Sequence, residues 1–160
     1  MRLPILIILI IVAGFIFLYT SSPAPSAGAI RIYGPEYTEI IAHLGRLMAP
    51  EGVRFQMVDS ATNADAIIKT GYLGAGPCAL ADIVRGVITI APQCKDERAY
   101  VIVAHELGHL AGYGHGGDGE VMQRNAAVQL RMSTSEIRAL RSLAGITILG
   151  RIWNVFSAAF

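Results

Sequence analysis

From residue 30 onward, short apolar runs alternate with longer stretches of helical spacing. Ile30 to Tyr33 reads as a short strand. Gly34-Pro35 opens a helix, proline being favoured in the first turn. Along it Tyr37, Ile40, Ile41, Leu44, Leu47 and Met48 form one apolar stripe. Glu36, Glu39, His43 and Arg46 lie on the other face, so His43 reads as a solvated surface histidine. Pro50 and Gly52 end the helix. Val53 to Val58 alternates as a half-buried strand, and Asp65 to Thr70 is a further strand. Gly71 to Pro77, with three glycines and a proline, is a loop. Ala79 to Val84 and Val87 to Ala91 flank Arg85-Gly86 as a hairpin. This order predicts a twisted sheet with a helix packed on it.

Asp96 caps a long second helix, whose buried face is Tyr100, Val101, Val103, Ala104, Leu107 and Ala111. Gly112 ends it, because glycine tolerates the left-handed conformation just past a helix. Ser133 and Glu136 have the spacing of a capping box and open a last helix. Its core face is Ile137, Leu140, Leu143 and Ala144. The expected fold class is α+β: a mixed sheet, a packed helix, a site-bearing helix and a C-terminal helix.

Ahead of this domain the pattern changes. Leu3 to Tyr19 is a 17-residue uncharged run behind Arg2. Ala27-Gly28-Ala29 offers an A-x-A cleavage site, so residues 1–20 read as a signal peptide. They read equally as a membrane anchor, because 17 helical residues span roughly 26 Å against a hydrocarbon core of ~30 Å. Either way the domain is exported, to the periplasm or the cell exterior, with Arg2 held inside. Residues 21–29, rich in Pro, Ser and Ala, form a linker. Residues 30–145 form the domain. Residues 146–160 are an apolar tail, read either as a helix docked on the domain or as one lying at a membrane interface.

Composition explains which partners to exclude. The chain has 160 residues, 53% hydrophobic and 16% charged. Without the first 29, 131 residues remain, carrying 12 basic and 12 acidic side chains. That balance gives a nucleic-acid backbone nothing to bind. The length suits one domain, expected to act as a monomer. Cys78 and Cys94 enclose 15 residues, and export makes a disulfide the default, worth ~3 kcal/mol. A metal ligand or a reactive thiol is the other reading of the pair.

The chemistry is concentrated in residues 105–115, HELGHLAGYGH. His105 and His109 are four apart, so both imidazoles leave one face of the long helix. Glu106 sits beside them, angled toward a water on the metal rather than toward the metal itself. Gly112 turns the chain so that His115 returns as a third nitrogen donor. Three protein ligands leave one tetrahedral position for water, as catalytic zinc sites do. By residue frequency alone this five-residue pattern has a chance on the order of one in a hundred thousand.

HELGHLAGYGH resembles the metzincin pattern H-E-x-x-H-x-x-G-x-x-H. Met122, in GEVMQ, resembles the methionine turn beneath the metal in that family; a plain core methionine is its alternative. Within the metzincins the likeness is to the matrixins, the matrix-metalloproteinase family and its compact bacterial relatives. ADAIIKTG is similar to their strand before the active-site region, LADIV to the edge strand along which substrate lies, and MSTSEIRALRSLAG to their closing helix. The resemblance implies a metzincin-like sheet, one catalytic zinc ion held by His105, His109 and His115, and Glu106 as general base. It also implies an extended peptide or protein substrate paired near Leu80 and Ala81, which otherwise read as core residues.

Three departures stand out. Gln123 and Arg124 occupy the places where matrixins follow the methionine with Tyr-Pro. Cys78 lies inside the domain, which argues against a cysteine-switch propeptide. Calcium has no Asp-rich loop to hold it, and Asp118 in GGDGE reads as a polar turn. The expected function is a zinc-dependent endopeptidase working through a metal-activated water. Its alternatives are an inactive metal-binding or partner-binding module on the same fold, and a zinc hydrolase of cell-wall peptides.

Overall fold

A computed structural model describes residues 28–96, 98–116, 121–122 and 130–144. The readings of residues 1–20 as signal or anchor, of the linker up to residue 27, of Asp118, Gln123 and Arg124, and of the tail 146–160 lie outside the described residues. Among the described residues, no helix is long and apolar enough to cross a membrane.

The fold is α+β, as the pattern predicts. Five strands form one mixed sheet: β1 (Ile30–Tyr33), β2 (Phe55–Met57), β3 (Ala66–Thr70), β4 (Ala79–Asp82) and β5 (Val87–Ile90). Their order across the sheet is β2-β1-β3-β5-β4. The first four in that order run parallel, and β4 is antiparallel to β5 at the edge. Among the described residues three α-helices accompany the sheet: α1 (Thr38–Met48), α2 (Ala99–Leu110) and α3 (Thr134–Ser142).

Side-chain alternation along the strands builds the core. Ile30 and Ile32, Ala66 and Ile68, and Ile88 and Ile90 are buried, while their neighbours Arg31, Tyr33, Ile67 and Val87 are half-buried. One face of the sheet therefore meets the helices. It joins Ile41, Leu44 and Met48 of α1 and Val103, Leu107 and Leu110 of α2 in a single cluster. Burying side chains of this size stabilises by roughly 1.5–3 kcal/mol each, so this interface holds α2 against the sheet.

Local hydrogen bonding shifts several boundaries from the sequence reading. Pro35–Tyr37 is a 3-10 turn, and α1 proper starts at Thr38. β2 is three residues long, because β1 offers it a ladder only from Ile30 to Ile32. Asp65 precedes β3 and is 1% exposed. It accepts the Arg31 backbone N–H at 2.8 Å and the Arg31 guanidinium at 2.7 and 3.2 Å. β4 stops at Asp82, which caps the hairpin turn by accepting the N–H groups of Arg85 and Gly86. Helix α2 starts at Ala99, three residues past Asp96. Asp96 accepts the Arg98 N–H on its carboxylate and the Ala99 N–H on its carbonyl, leading the chain into the helix. His43 is half-buried rather than solvated, its ring edge-on to Tyr100 of α2 at 4.8 Å. The Ser133–Glu136 capping box opens α3 as expected, with both reciprocal bonds made.

Cys78 and Cys94 are joined in a disulfide, so neither is a metal ligand or a free thiol. The bond closes the open end of the β4–β5 hairpin, just before α2. It is consistent with an oxidising, exported location.

Asp65→Ala is expected to lower stability by about 2 kcal/mol, since it leaves the half-buried Arg31 N–H and guanidinium without their acceptor. The midpoint of urea unfolding reads this directly, and an unchanged midpoint contradicts it.

Candidate metal centre and its cleft

Helix α2 ends at the site. Its last turn closes with the N–H of Tyr113 on the carbonyl of Gly108 at 2.9 Å and that of Gly112 on the carbonyl of His109 at 2.9 Å. This is the two-bond termination in which the residue past the cap is left-handed, and Gly112 has φ +85°. The chain reverses there and brings His115 back toward His105 and His109. The Nε2 atoms of His105 and His109 lie 3.0 Å apart, and those of His115 and His105 lie 3.3 Å apart. The three histidines form a group that could hold a metal ion.

Backbone carbonyls decide what those nitrogens can do. His105 Nδ1 is 2.5 Å from the carbonyl of Val121, and His109 Nδ1 is 2.8 Å from that of Tyr113. A carbonyl only accepts, so in both rings Nδ1 carries the proton and Nε2 keeps a lone pair. Two lone pairs facing at 3.0 Å repel each other. A cation between them removes that repulsion, and ring nitrogens around a tetrahedral zinc ion stand about 3.3 Å apart. The donor set therefore fits a zinc-like ion. His109 also titrates below its ordinary range, chiefly because burial disfavours the charged ring. The Tyr113 carbonyl opposes that, and the neighbouring His105 and His115 add to it. A neutral imidazole is the form that binds metal. No protein-family model matches the chain, and no curated protein matches it.

Beneath the histidines lies Val121-Met122. Val121 gives its carbonyl to His105 and its N–H to the carbonyl of Arg131, while Met122 accepts the N–H of Gly116. The Met122 side chain is fully buried. It sits against Gly108, where an added Cβ would collide with Met122 Sδ and stand 3.0 Å from Cε. Gly108 lies between the two helical histidines, so methionine and helix touch directly under the site.

Glu106 borders the same cleft as the histidines, beside β4. Glu106 is 6% exposed, and the backbone N–H of Ala81 lies near enough to favour its charged form. Burial pushes its pKa up to about 7, although the Ala81 N–H pulls in the opposite direction. A cleft of ≈ 460 Å³ runs between α2 and β4, bordered by Glu106, the three histidines, Ile83 and Ile102. The hairpin register explains which strand atoms face it. Cys78 accepts from Ala91 directly opposite, so Cys78, Leu80 and Asp82 are the positions bonded to β5. Ala79 and Ala81 then turn their backbone groups outward. The Leu80 side chain is 56% exposed.

The sequence reading lacks several contributors found here: the carbonyls of Val121 and Tyr113, the N–H of Ala81, and the small size required at Gly108. Backbone groups leave no trace in residue type. Only Gly108, an otherwise costly glycine in a helix interior, could have been noticed.

Gly108→Val is expected to destabilise by about 3 kcal/mol, from overpacking against Met122 and a β-branched residue in a helix. Combining it with Met122→Ala should recover part of that loss in thermal unfolding. Additive losses would mean the two residues do not meet.

Proposed function

We propose that this chain is a zinc-dependent endopeptidase of the metzincin type, of the matrixin kind, with Glu106 as general base. The observation that carries the reading is the pair of ring N–H to carbonyl bonds. They aim the Nε2 lone pairs of His105 and His109 at one point, with His115 beside them and a buried carboxylate one residue away. Among the described residues the cluster has three donors, and the two cysteines are spent on each other. A three-donor site keeps a position for water, as catalytic zinc sites do.

When bound, the zinc ion supplies Lewis acidity, which acidifies water and polarises a carbonyl. The remaining work falls to the chain. Glu106 takes a proton from the attacking water and returns it to the departing amine. A pKa near 7 suits both halves of that task, since the group neither holds nor sheds the proton too strongly. An extended peptide pairs with the outward backbone groups of Ala79 and Ala81, adding a strand to the sheet edge. Leu80, whose backbone serves β5, contributes a side-chain contact only. Met122 takes the part of the methionine turn, supporting the site through Gly108. On this reading the substrate is a peptide or protein met outside the cytoplasm, with which the disulfide is consistent.

The test is chelator-sensitive cleavage of a peptide library by the zinc-loaded protein. Glu106→Gln should keep about one zinc per chain, by atomic absorption, and lose at least ~100-fold in kcat/KM. His115→Ala should lose bound zinc. Cleavage that survives the chelator, or survives Glu106→Gln, overturns the mechanism. Zinc binding with no cleavage leaves a metal-binding module.

A further inference from the structure

The metal reading above makes Tyr113 interesting beyond its backbone. Its N–H closes α2 on Gly108, and its carbonyl receives the Nδ1 proton of His109 at 2.8 Å. The peptide that fixes His109 is thus flanked by Gly112 and Gly114. Gly112 is left-handed, and a Cβ at Gly114 would meet nothing within 4 Å. Glycines on both sides leave this peptide conformationally free unless something holds it. The Tyr113 side chain can do so. Its ring packs against the core, and its hydroxyl lies 2.8 Å from Ser135 Oγ, 22 residues away in the first turn of α3. Ser135 Oγ in turn lies 2.9 Å from Ser133 Oγ, the capping hydroxyl of that helix.

We propose that Tyr113 is a positioning residue for the metal centre: its phenol, anchored on Ser135, holds the carbonyl that orients His109. The capped end of α3 thereby sets the aim of a ligand on α2. The proposal rests on the metal reading, because orientation of His109 matters only if His109 is a ligand. The residue acts through His109 and touches neither metal nor substrate itself.

The experiment uses the full chain, purified in mild detergent, loaded with Zn2+ or Co2+. Three variants are compared with it: Tyr113→Phe, Ser135→Ala and the double variant. Tyr113→Phe keeps the ring in the core and removes only the hydroxyl. Zinc affinity, by competition with a chromophoric chelator, should fall about fivefold in either single variant. The double variant should fall no further, because one hydrogen bond is lost once. The visible absorption of the cobalt form, which reads ligand geometry, should shift in all three. Thermal unfolding of the metal-free protein separates aim from stability, and it should move little. Wild-type affinity and cobalt spectrum in both single variants overturn the proposal while leaving the metal site standing. Lowered metal-free stability with an unchanged spectrum overturns it too, since the bond is then merely structural. A wild-type chain that takes up neither ion overturns the metal reading and the proposal with it.

Discussion

Everything at this site depends on which nitrogen of each helical histidine carries its proton. Imidazole offers two, and a free ring exchanges between them. Here two main-chain carbonyls settle the matter, because a carbonyl has no proton to give. Val121 and Tyr113 take the Nδ1 protons, and the Nε2 lone pairs are left facing one another. Those carbonyls are themselves fixed, one by the Val121–Met122 segment tucked under α2, the other by the glycine-terminated end of that helix. The helix end and the segment below it are therefore part of the site, although neither faces the cleft.

The sheet serves the same arrangement from the opposite side. Parallel strands β2, β1, β3 and β5 present alternate apolar residues to the helices, which fixes where α2 lies. The antiparallel β4 is then the strand that runs beside it. Its pairing phase with β5 sends the N–H of Ala81 toward Glu106 rather than into the sheet. A one-residue slip of that hairpin would put Leu80 or Asp82 at that position and carry every β4 side chain to the opposite face of the sheet. Register, set by the turn at Asp82–Gly86, thus controls the surroundings of a carboxylate in a different element.

Much of this was legible beforehand, for definable reasons. The apolar stripe from Tyr37 to Met48, the hairpin around Arg85-Gly86 and the Ser133–Glu136 box each rest on interactions between near neighbours, which a sequence records. The histidine spacing is likewise a helix property. What the sequence does not record is pairing at a distance. Asp65 looked like the start of a strand and is instead the acceptor for Arg31, 34 residues earlier. His43 looked solvated and instead meets a ring on another helix. β2 looked six residues long and pairs with β1 over only three. The site shows the same divide: its side chains were readable from their types, and the main-chain groups that orient them were not.

The disulfide, described so far as a clasp on the hairpin, has a second effect. Cys78 borders the cleft that the histidines border, and a free cysteine there would offer a thiolate, a donor zinc takes readily. Bound to Cys94 it offers none. Oxidation thus removes Cys78 from the possible donors, and nitrogen alone is left among the histidine and cysteine side chains of the described cleft wall.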